Sequence, residues 1–175
     1  GASACGILVK GSTYLEELAR TGIVVFDKTG TLTKGKFEVE AIHPNDFDER
    51  ELLHLAAHVE RYSTHPIAVS LKTAFGNEDD GCRVENVEEI AGKGVKATVN
   101  GRTVYVGNSK LMESIGARWH QCHKVGTIVH VAVDGTYAGH IVVTDVIKDD
   151  AKETISRLKE TGVEKTVMLT GDRHE

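Results

Sequence analysis

Cysteine, basic charge and long apolar runs are all scarce in this 175-residue chain, and each shortage removes a class of protein. The three cysteines, Cys5, Cys82 and Cys122, stand far apart, are odd in number and lack any CxxC spacing. That argues against a disulfide framework or a zinc ribbon and makes a reducing cytosol the default setting. The formal net charge is −5, with lysines interleaved among Glu and Asp, so no clustered cations are available for nucleic acid. No stretch approaches the roughly 20 apolar residues of a membrane helix. The runs Ile23–Phe26 and Ile128–Val133 have strand length only. No signal-peptide pattern opens the sequence. These limits predict a soluble α/β protein of one ordinary domain or two small ones.

The patterning divides the chain into segments of two kinds. Residues Gly11–Arg20 read as a helix, with Thr13 and Glu16 spaced as a capping box. Ile23–Phe26 is continuously apolar, as a strand buried on both faces of a parallel sheet would be. It ends in Asp27, and open α/β sheets place their ligands at the carboxyl ends of such strands. The middle differs. Phe37–Ile42 alternates like a strand, Asp46–Glu60 reads as an amphipathic helix, and His65-Pro66 opens another helix. Asn100-Gly101 and Asp134-Gly135, each between alternating apolar runs, predict two type I′ hairpins. The last part of the chain resembles the first. A helix capped by Asp149 or Asp150 runs through Lys159, Gly162 stops it, and Thr166–Leu169 forms a second buried-type strand. An antiparallel sheet flanked by helices is thus inserted into a parallel-sheet domain. Two core strands and two helices leave that parallel domain incomplete.

Asp27-Lys28-Thr29-Gly30-Thr31-Leu32-Thr33 follows the first strand and matches the phosphorylation heptapeptide of the P-type ATPases without a mismatch. The residue types suit phosphoryl transfer. A carboxylate attacks a γ-phosphoryl group directly if cations offset the charge repulsion. The resemblance makes Asp27 the nucleophile, has Lys28 supply positive charge, and leaves the loop N–H groups to face phosphoryl oxygens. Related haloacid-dehalogenase-type phosphatases carry a second Asp two residues after the nucleophile. Here Thr29 stands in its place, so an aspartyl-phosphate would persist rather than hydrolyse at once. Thr170-Gly171-Asp172 matches the family's second phosphate motif. The resemblance gives Thr170 a phosphoryl oxygen and puts Asp172 near the transferred group and its Mg²⁺, with Asp27 and Thr29 as metal-site residues. Asp145 falls where the family has a polar residue at the return to this domain.

Four features of the inserted segment are similar to the heavy-metal-transporting branch. They are the His65-Pro66 dipeptide, the acidic Glu60 five residues upstream, Gly92-Lys93-Gly94 and Gly107-Asn108. An imidazole can stack on a nucleobase, a carboxylate can accept from an exocyclic amine, and glycines admit a close backbone approach. The resemblance therefore makes Glu60, His65, Gly92, Gly94 and Asn108 the ATP pocket. Taken singly, His65-Pro66 reads equally as a helix start, Gly92 and Gly94 as a turn, and Asn108 as a helix cap. The third glycine of GxGxxG is replaced by Ala97, where a positive φ would be strained. No GxxxxGK[ST] loop is present.

The resemblance implies a haloacid-dehalogenase-like Rossmann-type phosphorylation domain, residues 1–34 and 144–175, with the nucleotide-binding domain at 35–143. Its partners would be the transmembrane metal-transport helices and actuator domain of the same polypeptide, placing it on the cytosolic side of a plasma membrane. In the intact pump, Mg-ATP would bind in the insertion and close over Asp27. The wording of the chain is nearest the zinc/cadmium/lead exporters, with copper(I) export as the alternative and a stand-alone phosphatase or a nucleotide-binding regulator as rivals. The sequence stops before the family's Gly-Asp-Gly-x-Asn-Asp motif, so the fragment, read as a monomer, is expected to bind ATP and turn it over little. His120-Gln121-Cys122-His123 fits no structural zinc spacing and reads as a polar loop beside Trp119. His43, His54, His58, His130 and His140 read as surface or edge residues.

Overall fold

The structure is a computed structural model that describes residues 2–76 and 80–169. Two compact units emerge: residues 1–34 with 147–175, and residues 35–146.

In the first unit, α1 (Ser12–Ala19) leads into β1 (Ile23–Asp27), and α5 (Ala151–Glu160) leads into β8 (Lys165–Leu169). β1 and β8 pair in parallel, with Ile23 opposite Lys165 and Asp27 opposite Leu169. Parallel pairing suits two continuously apolar strands, each preceded by a helix. Two sequence expectations fail here. The Thr13/Glu16 capping box does not form, because α1 starts at Ser12 with Gly11 as its N-cap and no side-chain bond. β1 is also not buried on both faces: Ile23 is 59% and Val25 54% exposed. A two-stranded sheet has too little surface to cover itself.

The second unit is a six-stranded sheet in the order β2-β7-β6-β5-β4-β3. Its strands are β2 (Thr33–Pro44), β3 (Val84–Ile90), β4 (Gly94–Val99), β5 (Arg102–Gly107), β6 (Thr127–Val133) and β7 (Thr136–Ile147). Pairing from β3 through β7 is antiparallel. Both predicted hairpins form, and the turn residues take the required positive φ: 49° and 83° at Asn100-Gly101, 48° and 81° at Asp134-Gly135. Helices α2 (Glu49–Val59) and α3 (Pro66–Phe75) bring Leu52, Leu55, Val59 and Leu71 against Val104, Val106, Val131 and Ile141. A second cluster joins Leu111 and Met112 of α4 (Ser109–Ser114) to Ala132 and Tyr137. β7 runs unbroken through positions 143 and 144 before the chain returns to the first unit.

Three histidines expected at surfaces are buried: His58 at 2%, His130 at 3% and His140 at 4% exposure. Each has a polar partner that permits burial. His58 Nε2 lies 3.1 Å from Asp80, while the Tyr137 hydroxyl lies 2.9 Å from His130 Nδ1 and 3.1 Å from His140 Nδ1.

Candidate functional site

A cavity of about 670 Å³ opens in the 35–146 unit and is lined by residues from α2, α3, the β3–β4 turn, β5 and β6. Its size falls within the roughly 300–1,000 Å³ of small-molecule pockets. Glu60, His65, Gly92, Gly94 and Asn108, taken from three separate stretches of sequence, all line it.

Local structure explains how each arrives there. Glu60 is the C-cap of α2, and burial, outweighing Ser63 and Lys72, holds its carboxyl above the ordinary range. His65 is the N-cap of α3 and accepts a 3.3 Å bond from the Ile67 N–H through Nδ1, with Pro66 as the first helical residue. The helix-start reading and the pocket reading of His65-Pro66 are therefore compatible, since capping through Nδ1 leaves the ring edge at Nε2 unused. Lys72 ties down the segment between the helices by donating to the carbonyls of Arg61 (3.1 Å) and Ser63 (2.9 Å). Sequence reasoning missed Lys72, as well as Glu89 in the pocket wall, because single charged residues on a helix or strand carry no motif.

The glycines divide their roles. Gly92 has φ 69° with open space beside it, so its backbone conformation is what demands glycine. Gly94 has φ 148° and pairs with Gly107, and a Cβ there would sit 2.1 Å from the Val106 carbonyl oxygen. Its smallness thus serves the approach of β4 to β5. Ala97, in the third glycine's place, lies inside β4 at 1% exposure, where no positive φ is required.

Asn108 is more occupied than the sequence reading supposed. Its Oδ1 accepts from the Leu111 N–H at 3.2 Å as the cap of α4, and its Nδ2 donates to the Gly92 carbonyl at 2.9 Å. Its backbone N–H donates to the Lys93 carbonyl at 2.9 Å. Asn108 therefore binds the glycine turn to β5 and α4.

In the other unit, Asp27 ends β1 on an exposed position and Lys28–Leu32 make a tight loop, with Gly30 at φ 76°. Thr33, 2% exposed, braces that loop: its Oγ1 accepts from the Gly30 N–H at 3.0 Å and donates to the Lys28 carbonyl at 3.2 Å. The Gly30 N–H is thus used within the loop rather than turned outward. Lys148 Nζ donates to the Gly30 carbonyl at 3.2 Å, an anchor for which the sequence offered no spacing signal. Thr29 is exposed. Thr170, Gly171 and Asp172 lie outside the described residues. Asp145 is half-buried in β7.

Among the described residues no helix is long and apolar enough to cross a membrane. The family profile of the haloacid dehalogenase-like hydrolases matches residues 21–175. A zinc-transporting ATPase of Synechocystis sp. is 50% identical over 98% of this chain, and a cadmium, zinc and cobalt-transporting ATPase of Bacillus subtilis is 49% identical over 98%. The chain spans 24% of the length of either relative. The crystal structure of a zinc-transporting PIB-type ATPase in the E2.Pi state superposes with a TM-score of 0.75 at 37% identity, covering 99% of this chain and 29% of that one. By the reach of that profile, the chain belongs to the haloacid dehalogenase-like hydrolases, and the relatives described are metal-transporting ATPases.

Proposed function

We propose that residues 35–146 bind ATP and that Asp27 accepts its γ-phosphate, as part of a membrane pump that exports zinc, cadmium or lead. The observation that carries the reading is the convergence of Glu60, His65, Gly92, Gly94 and Asn108 on one cavity. Nothing in their sequence spacing requires them to meet. Glu60 accepts from the adenine amine, His65 presents its ring to the base, and the Gly92–Gly94 turn lies along the nucleotide.

In the transfer step a carboxylate oxygen of Asp27 forms a bond to the γ-phosphorus while the bond to the β,γ-bridging oxygen breaks and ADP leaves. Lys28 offsets the charge of the incoming phosphate. Thr33 and Lys148 hold the loop that follows Asp27 in a fixed shape. Thr29 lacks the carboxylate that would activate water, which preserves the acyl phosphate. Thr170, Gly171 and Asp172 complete this reading as phosphate-site residues. Carboxylate and carbonyl oxygens at Asp27 and Thr29 are the hard donors Mg²⁺ takes, so these residues fit the ion. When bound, Mg²⁺ neutralises phosphate charge. The zinc/cadmium class rests on the relatives at 50% and 49% identity, whose names carry those ions.

Two experiments test the proposal. Isothermal titration of the chain should give saturable binding of ATP that His65→Ala and Glu60→Ala weaken; absence of binding would remove the pocket reading. In the full-length protein, radiolabelled ATP should give an acid-stable, hydroxylamine-sensitive phosphoenzyme. Its formation should depend on Zn²⁺ or Cd²⁺ and vanish in Asp27→Asn. Label surviving in that variant would exclude Asp27, and stimulation by Cu(I) alone would reassign the ion.

A further inference from the structure

The nucleotide and phosphoryl-transfer readings leave two groups of possible metal-ligating residues unused among the described residues, and the first has unpartnered atoms. His43 on β2, His140 on the neighbouring strand β7 and Cys122 in the irregular segment before β6 bring one nitrogen or sulfur atom each to within 4.8 Å of the others. Nε2 of His43 and Nε2 of His140 are both buried and have no hydrogen-bond partner among the described residues. A buried polar atom without a partner is costly, and native proteins rarely keep two side by side without a use. The two rings lie 5.0 Å apart, centroid to centroid.

We infer that His43, Cys122 and His140 form a binding site for one borderline-soft divalent metal ion of the zinc or cadmium class, with water as the fourth ligand. Two imidazoles and a thiolate are the donors such ions prefer. Bond lengths of about 2.0 Å to nitrogen and about 2.3 Å to sulfur put tetrahedral ligand atoms roughly 3.3–3.6 Å apart. Ligand atoms that lie within 4.8 Å of one another must close to that spacing, and Cys122, in a segment without helix or strand, can supply part of the movement.

The surrounding bonds are compatible with the metal-ready tautomer. With the proton of His140 on Nδ1, that N–H donates to the Tyr137 hydroxyl 3.1 Å away, and the hydroxyl donates to Nδ1 of His130 at 2.9 Å. Nε2 of His140, which has no hydrogen-bond partner among the described residues, then carries a bare lone pair. A ligating histidine typically donates its other ring N–H in this way. Binding releases the Cys122 proton to solvent as the sulfur–metal bond forms. The ion would pin the 115–126 segment to the β2 and β7 edge of the sheet.

A second cluster, His54, His58, Asp80 and Cys82, differs in a decisive respect. Both of its imidazoles already have a partner, with Asp80 Oδ2 3.0 Å from His54 Nε2 and 3.1 Å from His58 Nε2. It is the natural control.

Titrating the chain with Co²⁺ in place of Zn²⁺, under reducing conditions, should give one equivalent bound, with a near-ultraviolet thiolate-to-cobalt charge-transfer band that Zn²⁺ displaces. Cys122→Ser should abolish the band, and Cys82→Ser should retain it. His43→Gln should weaken binding at least about tenfold, since even changes behind the ligands typically cost 10–100-fold. Tyr137→Phe, which keeps the ring and removes the hydroxyl bonded to Nδ1 of His140, should weaken it by a similar factor with the circular dichroism unchanged. No thiolate band, a band that survives Cys122→Ser, or a band lost in Cys82→Ser would overturn the proposal.

Discussion

Replacing Asn108 with serine separates the two bonds that its side chain makes. Serine caps helices about as well as asparagine, so the bond to the Leu111 N–H survives. It is too short to reach the Gly92 carbonyl, so the 2.9 Å bond that holds the glycine turn is lost. The backbone bond from Asn108 to the Lys93 carbonyl is untouched and limits how far the turn can move. A net hydrogen bond of this kind is worth about 0.5–1.5 kcal/mol. If the bond holds the turn in its binding shape, ATP affinity falls by up to that amount, about 2- to 12-fold. Alanine removes both bonds. It should weaken ATP to the same extent as serine while costing about 1 kcal/mol more in stability, the worth of the lost cap. Isothermal titration supplies the affinities and urea unfolding the stabilities. Wild-type affinity in Asn108→Ser, or equal stability losses in the two variants, would refute the division of roles.

Three further outcomes follow from the same geometry. Gly94→Ala should destabilise by about 3 kcal/mol, because its Cβ meets the Val106 carbonyl oxygen at 2.1 Å at a φ of 148°. Gly92→Ala, with open space beside it, should cost only about 1 kcal/mol of backbone strain. Equal losses in urea unfolding would show that crowding between β4 and β5 is not what fixes Gly94. Glu60→Gln should be more stable than the parent at pH 7, because burial raises the carboxyl and disfavours its charge. The folded state then holds the proton more tightly than the unfolded one, so the advantage should shrink as pH falls toward 4.5. A pH-independent difference would count against that cause. His130 and His140 carry the opposite sign: burial first, then neighbouring imidazoles, push both to about 4 against an ordinary 6.5. Stability should be full above pH 6.5 and decline by as much as about 1.4 kcal/mol per pH unit for each ring as pH falls toward 4. A flat profile over that window in urea titrations of the metal-free chain would contradict their burial as neutral rings.

The legible parts of this chain were those in which chemistry is local. The I′ turns at Asn100-Gly101 and Asp134-Gly135 need positive φ at two adjacent residues, and few dipeptides tolerate that, so the hairpins could be read directly. Pro66 could be placed at the first turn of α3 for a similar reason. The helix read at Gly11–Arg20 forms, but the capping box at Thr13 and Glu16 does not, because a capping pattern is only permissive. The surface reading of His58, His130 and His140 failed because partners such as Asp80 and Tyr137 lie across strands or beyond a loop.

By itself, the sequence determined the elements, the split between parallel and antiparallel segments, and the family resemblance carried by Asp27–Thr33. Those depend on the order of residue types along the chain, which local sterics and hydrophobic periodicity translate directly. Only the tertiary structure decided that Glu60, His65, Gly92, Gly94 and Asn108 share one cavity. It alone showed that Asn108 is engaged by its own fold, and that Cys122 comes close to His43 and His140, which are remote from it in sequence. Such proximities arise from strand order and register, which are set by the packing of whole faces and leave no mark on any short stretch of residues.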